Sequence, residues 1–149
     1  MLLKKFDDFT HIFLVNASQM AYIEEASKTH EMLRKFCDLH RYFIKRGQDS
    51  LFGEEVKALH CYLDILSYRY VNRFEVIIEN NVKDTDIQIK HLSLLDFMDE
   101  IMNNALARHE NRFRVTVGIT AEDNLSISAL LEAEDVTESF GTALTEVKD

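Results

Sequence analysis

Leu2, Phe6, Phe9, Phe13, Asn16, Met20 and Ile23 recur at intervals of 4-3-4-3-4-3. This unbroken heptad seam predicts one long helix whose apolar edge meets other helices in a bundle or dimer. Asn16 is the seam's polar member, of the kind that fixes register at some cost in stability. Ser27, Lys28 and Thr29 break the pattern, and a second helix is predicted from about Glu31 to Lys45. It carries two apolar stripes, Met32/Phe36/Leu39/Phe43 and Leu33/Cys37/Ile44, so it touches neighbours on two sides. The segment Arg46 to Ser50 contains Gly47 and ends in a residue type suited to an N-cap, Ser50. A third helix follows, with Val56, Leu59, Leu63, Leu66 and Tyr70 at 3-4-3-4.

After Tyr70 the period shortens. Phe74, Val76 and Ile78 predict a short strand, and Asn80 to Asp86 a polar loop. Leu92, Leu95, Met98, Met102 and Ala105 mark a fourth helix. Two alternating strands, Arg112–Ile119 and Leu125–Leu131, are joined by the turn residues Thr120 to Asn124. Their apolar members share one face, which the fourth helix is placed to cover. The tail from Val136 to Lys148 is a weak helix candidate. The fold class is therefore α+β, a helical hairpin over residues 1–50 followed by an α/β layer over 51–149.

Composition narrows the function classes. The 149 residues are 46% hydrophobic and 29% charged, which is the balance of a folded chain. A formal charge of −9 repels phosphate backbones and argues against nucleic acid as a partner. No apolar run approaches the ~20 residues that cross a bilayer, so no membrane insertion is expected. Two cysteines, Cys37 and Cys61, make neither a disulfide framework nor a structural zinc site, and a cytoplasmic location follows. Apart from His11, the histidines are His30, His40, His60, His91 and His109; they lack ligand spacing, so no metal is expected.

Several segments, taken in order, carry a resemblance. His11-Ile12-Phe13-Leu14-Val15-Asn16 is followed by Leu39-His40-Arg41-Tyr42, Glu54-Glu55-Val56, Tyr62-Leu63-Asp64-Ile65 and Arg69-Tyr70. Arg73-Phe74-Glu75-Val76, Ile101-Met102-Asn103-Asn104-Ala105-Leu106-Ala107-Arg108 and Gly141-Thr142-Ala143-Leu144-Thr145-Glu146-Val147 complete the series. Together they resemble the LytS/YesM branch of sensor histidine kinases, whose motifs include P-H-F-L-F-N, L-V-E-N-A-I-K-H and G-T-G-L-x-N-V. The resemblance implies a dimerising four-helix bundle made from two hairpins, then a truncated GHKL-type ATPase sandwich. The heptad seam itself supplies the expected dimer interface, Phe6, Phe9, Phe13, Asn16, Met20 and Ile23. The resemblance places a remnant nucleotide and magnesium site on Asn103, Asn104, Arg108 and Gly141.

The departures fall on the chemistry. The family's phosphoacceptor position holds Ile12, which has no nucleophile. The family's glutamate on the ATP helix is Asn103, which takes no proton, and Asn104 alone keeps a magnesium-holding amide. The adenine-reading D-x-G-x-G loop has as its counterpart Glu132-Ala133-Glu134, without glycine and with added negative charge. The lid shrinks to Asp135–Phe140, Ala143 replaces a glycine, and the chain has no proline at either family position. The expectation is a catalytically inactive histidine-kinase-like signalling module with no cofactor, a homodimer binding a response regulator or sensor kinase. The alternative is a histidine phosphotransferase accepting phosphate on an exposed histidine, with His11 as the candidate and His30 and His40 beside it. A third reading gives the emptied pocket another small ligand.

Overall fold

A computed structural model describes residues 2–45 and 49–145, with side chains from Asp7 onward. The Phe6 side chain, Gly47, and the motif residues Glu146 and Val147 lie outside the described residues. The chain is α+β. Helix α1 spans Leu2–Ile23 and α2 spans Ser27–Phe43. They form a hairpin closed by a turn in which Glu25 takes the left-handed conformation, φ 59°. The Ala26 N–H donates back to the Ala21 carbonyl at 2.9 Å, satisfying an end group of α1. Helix α2 thus begins at Ser27, four residues before the predicted start at Glu31. Its first turn is polar because it faces solvent, and apolar spacing reports which turns are buried rather than where a helix begins.

The two helices approach through small side chains. Ser18 and Ala21 of α1 are buried against α2, which lets the backbones close at the turn. Ser18 Oγ lies 3.1 Å from His30 Nδ1, and its carbonyl lies 2.9 Å from the same nitrogen.

Strand β1 (Asp49–Leu51) leads directly into α3 (Phe52–Arg69). Ser50 is therefore a strand residue and not the helix cap its type suggested. Leu51 caps α3, and β1 pairs antiparallel with β3 (Gln88–Lys90), Ser50 opposite Ile89. This pairing across the long loop after β2 (Phe74–Asn80) had no local signal, because three-residue strands are too short to show a period.

Helix α4 (Ser93–Arg108) carries the chain from β2 to β4 (Phe113–Ala121), which lie side by side and parallel. Strand β5 (Leu125–Ala133) and then β6 (Val136–Ala143) add antiparallel, giving the order β2-β4-β5-β6. Over Val136–Ala143 the tail is thus a strand, not a helix, and residues 146–148 of that expectation lie outside the described residues. Glu134 and Asp135 make the tight turn that folds β6 back on β5. As an edge strand with most residues exposed, β6 shows no alternation to read in advance.

Phe113, Val115, Val117 and Ile119 of β4 face inward with Leu125, Ile127, Ala129 and Leu131 of β5. The register sets Val115 opposite Leu131, Val117 opposite Ala129 and Ile119 opposite Ile127. Leu94, Leu95, Met98, Ile101, Met102 and Ala105 of α4 join this core at helical spacing. Phe52, Ala58, Leu59 and Leu63 add α3, and Leu39 is the hairpin's buried contribution.

Candidate functional site

Successive residues on a helix point about 100° apart. On α1 this separates two neighbours decisively. Ile12 is 58% exposed on the outer face, in company with Phe9, Phe13, Met20 and Ile23, and Asn16 shares that exposure. From Phe9 onward the apolar seam is therefore not consumed by packing among the described residues. His11 turns inward and stacks on His40 of α2, rings 6.0 Å apart and 11° from parallel. The Nδ1 atom of each is buried without a hydrogen-bond partner among the described residues. His30 is held on Ser18.

The second region is a cleft of about 930 Å³ between α4 and the end of β6. Asp96, Glu100 and Asn104 recur every four residues along α4 and line one side. Phe140, Gly141 and Thr142 line the other, and Lys90 stands at the rim. Of the predicted remnant site, the fold brings Asn104 and Gly141 together here. Asn103 and Arg108 are not among the lining residues. Arg108 instead makes a two-pronged pair with Glu138 of β6, at 3.0 and 2.6 Å. That guanidinium holds the Glu138 carboxyl below the usual carboxylate range.

Two further polar contacts tie helices together. Tyr62 of α3 donates to Asp99 of α4 at 2.6 Å, and burial first, then that carboxylate, push its phenol well above the ordinary value. Lys35 of α2 lies 2.6 Å from Asp64 of α3, and this bond is the largest cause raising its pKa.

A family model described as Histidine kinase matches residues 8–74. The matched stretch runs from α1 through α3 and stops at the first residue of β2. It supports a histidine-kinase relationship. No curated protein matches the chain.

Histidine kinases use ATP with magnesium, and the cleft residues fit that group poorly. Asp96 and Glu100 bring two carboxylates to the cleft against the single ammonium of Lys90 among its lining residues, a balance that repels a triphosphate. Gly141 sits within β6 opposite Ser128 rather than in a phosphate-cradling loop. A Cβ there would meet only the Ile127 carbonyl, at an ordinary 3.6 Å, so close approach does not demand glycine. Glu132-Ala133-Glu134, the adenine-loop counterpart, lies at the opposite end of the β5–β6 hairpin. Ala133 is seven strand positions from Ser126, which faces Ala143. That is about 23 Å at the usual rise per residue. Asn104 shares its row with Asp96 and Glu100, yet among the described residues no three His, Cys, Asp or Glu side chains come together to hold a metal ion.

Sequence reasoning missed Asp96 and Glu100, although their spacing from Asn104 was there to read. It named Glu55 only within the motif Glu54-Glu55-Val56 and gave it no role, although this residue occupies the core-facing row Phe52/Glu55/Leu59 of α3 and is fully buried. A carboxylate on an apolar stripe was the available signal.

Proposed function

We propose that this chain is a catalytically silent, histidine-kinase-like signalling module of the LytS/YesM type. It dimerises through α1 and α2, carries a truncated GHKL-type sandwich, and binds a response regulator or a sensor kinase in the cytoplasm. The reading rests on one observation above the others. The outward face of α1 is apolar and unpartnered among the described residues, and the residue standing at the phosphoacceptor position on that face is Ile12. A helical face built this way is suited to protein contact and carries no group that accepts phosphate. The acidic cleft and its strand-bound Gly141 support the same reading. The phosphotransferase alternative draws less support, since His11 and His40 turn toward each other and His30 is held by Ser18.

Labelled transfer separates the readings. Purified protein is incubated with labelled ATP–magnesium, and separately with phosphorylated response regulators from its own genome. The proposal expects no label from either source, with regulator or kinase binding measurable by titration. Label from ATP refutes catalytic silence. Label from a regulator, abolished by replacing His11, His30 and His40 together, establishes the phosphotransferase.

A further inference from the structure

Two motifs that the kinase resemblance leaves without a chemical role meet inside the molecule. Tyr42 closes the second motif on α2, and Glu55 lies in the acidic motif at the start of α3. The Tyr42 hydroxyl donates to Glu55 Oε1. The same oxygen receives the Leu92 N–H at 2.5 Å, and Oε2 receives the Leu94 N–H at 3.3 Å. Both amides belong to the entry of α4, whose cap residue Leu92 has no capping side chain of its own. Leu92 is also left-handed, φ 67°, a conformation that a leucine holds only when its surroundings impose it. Beside this centre, Ser50 Oγ lies 2.7 Å from His91 Nδ1, and the His91 ring packs on Tyr42 at 4.7 Å.

We propose that Glu55 is a joint through which the helical hairpin sets the first turn of α4, and with it the mouth of the cleft. A fully buried carboxylate needs every donor it has, because burial removes the water that would otherwise solvate its charge. Of its three donors, one comes from the hairpin and two from the helix entry. Moving α2 withdraws the Tyr42 hydroxyl and leaves the charge under-satisfied, so Glu55 and the two amides it caps must rearrange together. Ser93 lies between those amides, Asp96 and Phe97 stand in the next turn, and all three line the cleft, so the movement is delivered there. By reciprocity, whatever holds the first turn of α4 in place also stiffens the C-terminal end of α2. The joint regulates the module under the reading that the hairpin is its docking element. Its existence does not depend on that reading.

Amide exchange on the full chain, read by NMR, tests it without any partner. In Tyr42→Phe, the Leu92 and Leu94 amides should exchange about tenfold faster, the size expected for losing a hydrogen bond to a charged acceptor. Val115 and Val117 of β4 should keep their rates, and Phe36→Ala, on the exposed side of α2, should leave both helix-entry amides unchanged. In Glu55→Gln the residues around Tyr42 should in turn exchange faster. If that variant does not fold, Tyr42→Phe decides alone. Unchanged rates at Leu92 and Leu94 overturn the proposal, and so does an equal acceleration in β4, which would mean general destabilisation. Absence of regulator binding would refute the functional reading and leave this result standing.

Discussion

Replacing Phe13 by serine should dissolve the proposed dimer while leaving the protomer folded. In the isolated chain the Phe13 side chain is 62% exposed, so its removal takes little from the core. A phenylalanine offers on the order of 200 Å² for burial, so about 120 Å² remains for a partner. At about 25 cal/mol per Å² that is worth ~3 kcal/mol per side chain. A two-fold interface uses the residue twice, but association and ordering costs consume much of such area. A net ~3 kcal/mol for the dimer is the working figure, a rise in dissociation constant of about 100-fold or more. Sedimentation equilibrium over a wide concentration range measures it, with circular dichroism reporting the protomer. Lys28→Ser, at an exposed position near the hairpin turn, serves as the control. A wild-type chain that stays monomeric at high micromolar concentration would refute the argument. So would a Phe13→Ser protein that dimerises as the wild type does.

Other substitutions test other parts of the molecule. Met98→Ala removes a fully buried side chain from between α4 and the sheet, and should cost about 2–5 kcal/mol in urea unfolding. A loss below 1 kcal/mol would mean that the core there collapses freely. Asp96→Asn with Glu100→Gln lifts two negative charges from the cleft and should strengthen binding of inorganic triphosphate, seen by calorimetry. Equal affinity in both proteins would mean that those charges do not face the ligand. The Tyr62 phenol, raised by burial and by Asp99, stays protonated in the fold when the unfolded chain ionises near pH 10. Its contribution to stability is therefore complete below that pH and is lost as pH rises above it. Tyrosinate absorbance, taken as the difference from Tyr62→Phe, should appear only together with unfolding. Early ionisation of Tyr62 in the folded protein would contradict that burial.

Periodic segments were legible wherever one face is buried along several turns or several strand residues. The alternation of Phe113 to Ile119 and the row Leu95/Met98/Met102/Ala105 are of this kind, and each element lies where its pattern placed it; the α1 seam also marked its helix, although its described members from Phe9 onward are exposed. Three features without that asymmetry were not legible. The first turn of α2 is polar because it is exposed, β1 and β3 are three residues long, and β6 has little buried on either face. The candidate site divided in the same way. Asn104 and Gly141 do meet at one cleft, because a helix face and a strand end can be brought together by the order of elements alone. The commitment of Arg108 to Glu138 depends on β6 being a strand, and so stayed hidden with it. The inward turn of His11 follows from helix geometry. Its stacking on His40 follows only from the rotation of α1 against α2, which apolar spacing on α1 leaves open.

The parallel pairing of β2 with β4 has a consequence for how the chain is made. Phe74 finds Phe113 as its partner, 39 positions later in the chain. At a synthesis rate of about 5–20 residues per second, β2 waits ~2–8 s for the strand that completes it. During that interval Val76, Ile77 and Ile78 form an apolar strand with neither edge hydrogen-bonded to a neighbour. The hairpin, α1 with α2, is already available by then, since its contacts are local in sequence. The newborn chain therefore passes through a stage with a finished helical arm and an unprotected strand. Chaperone capture or misassembly between ribosomes would strike at β2, and a polar replacement of the half-exposed Ile77 would shorten the apolar run at small cost to the finished fold.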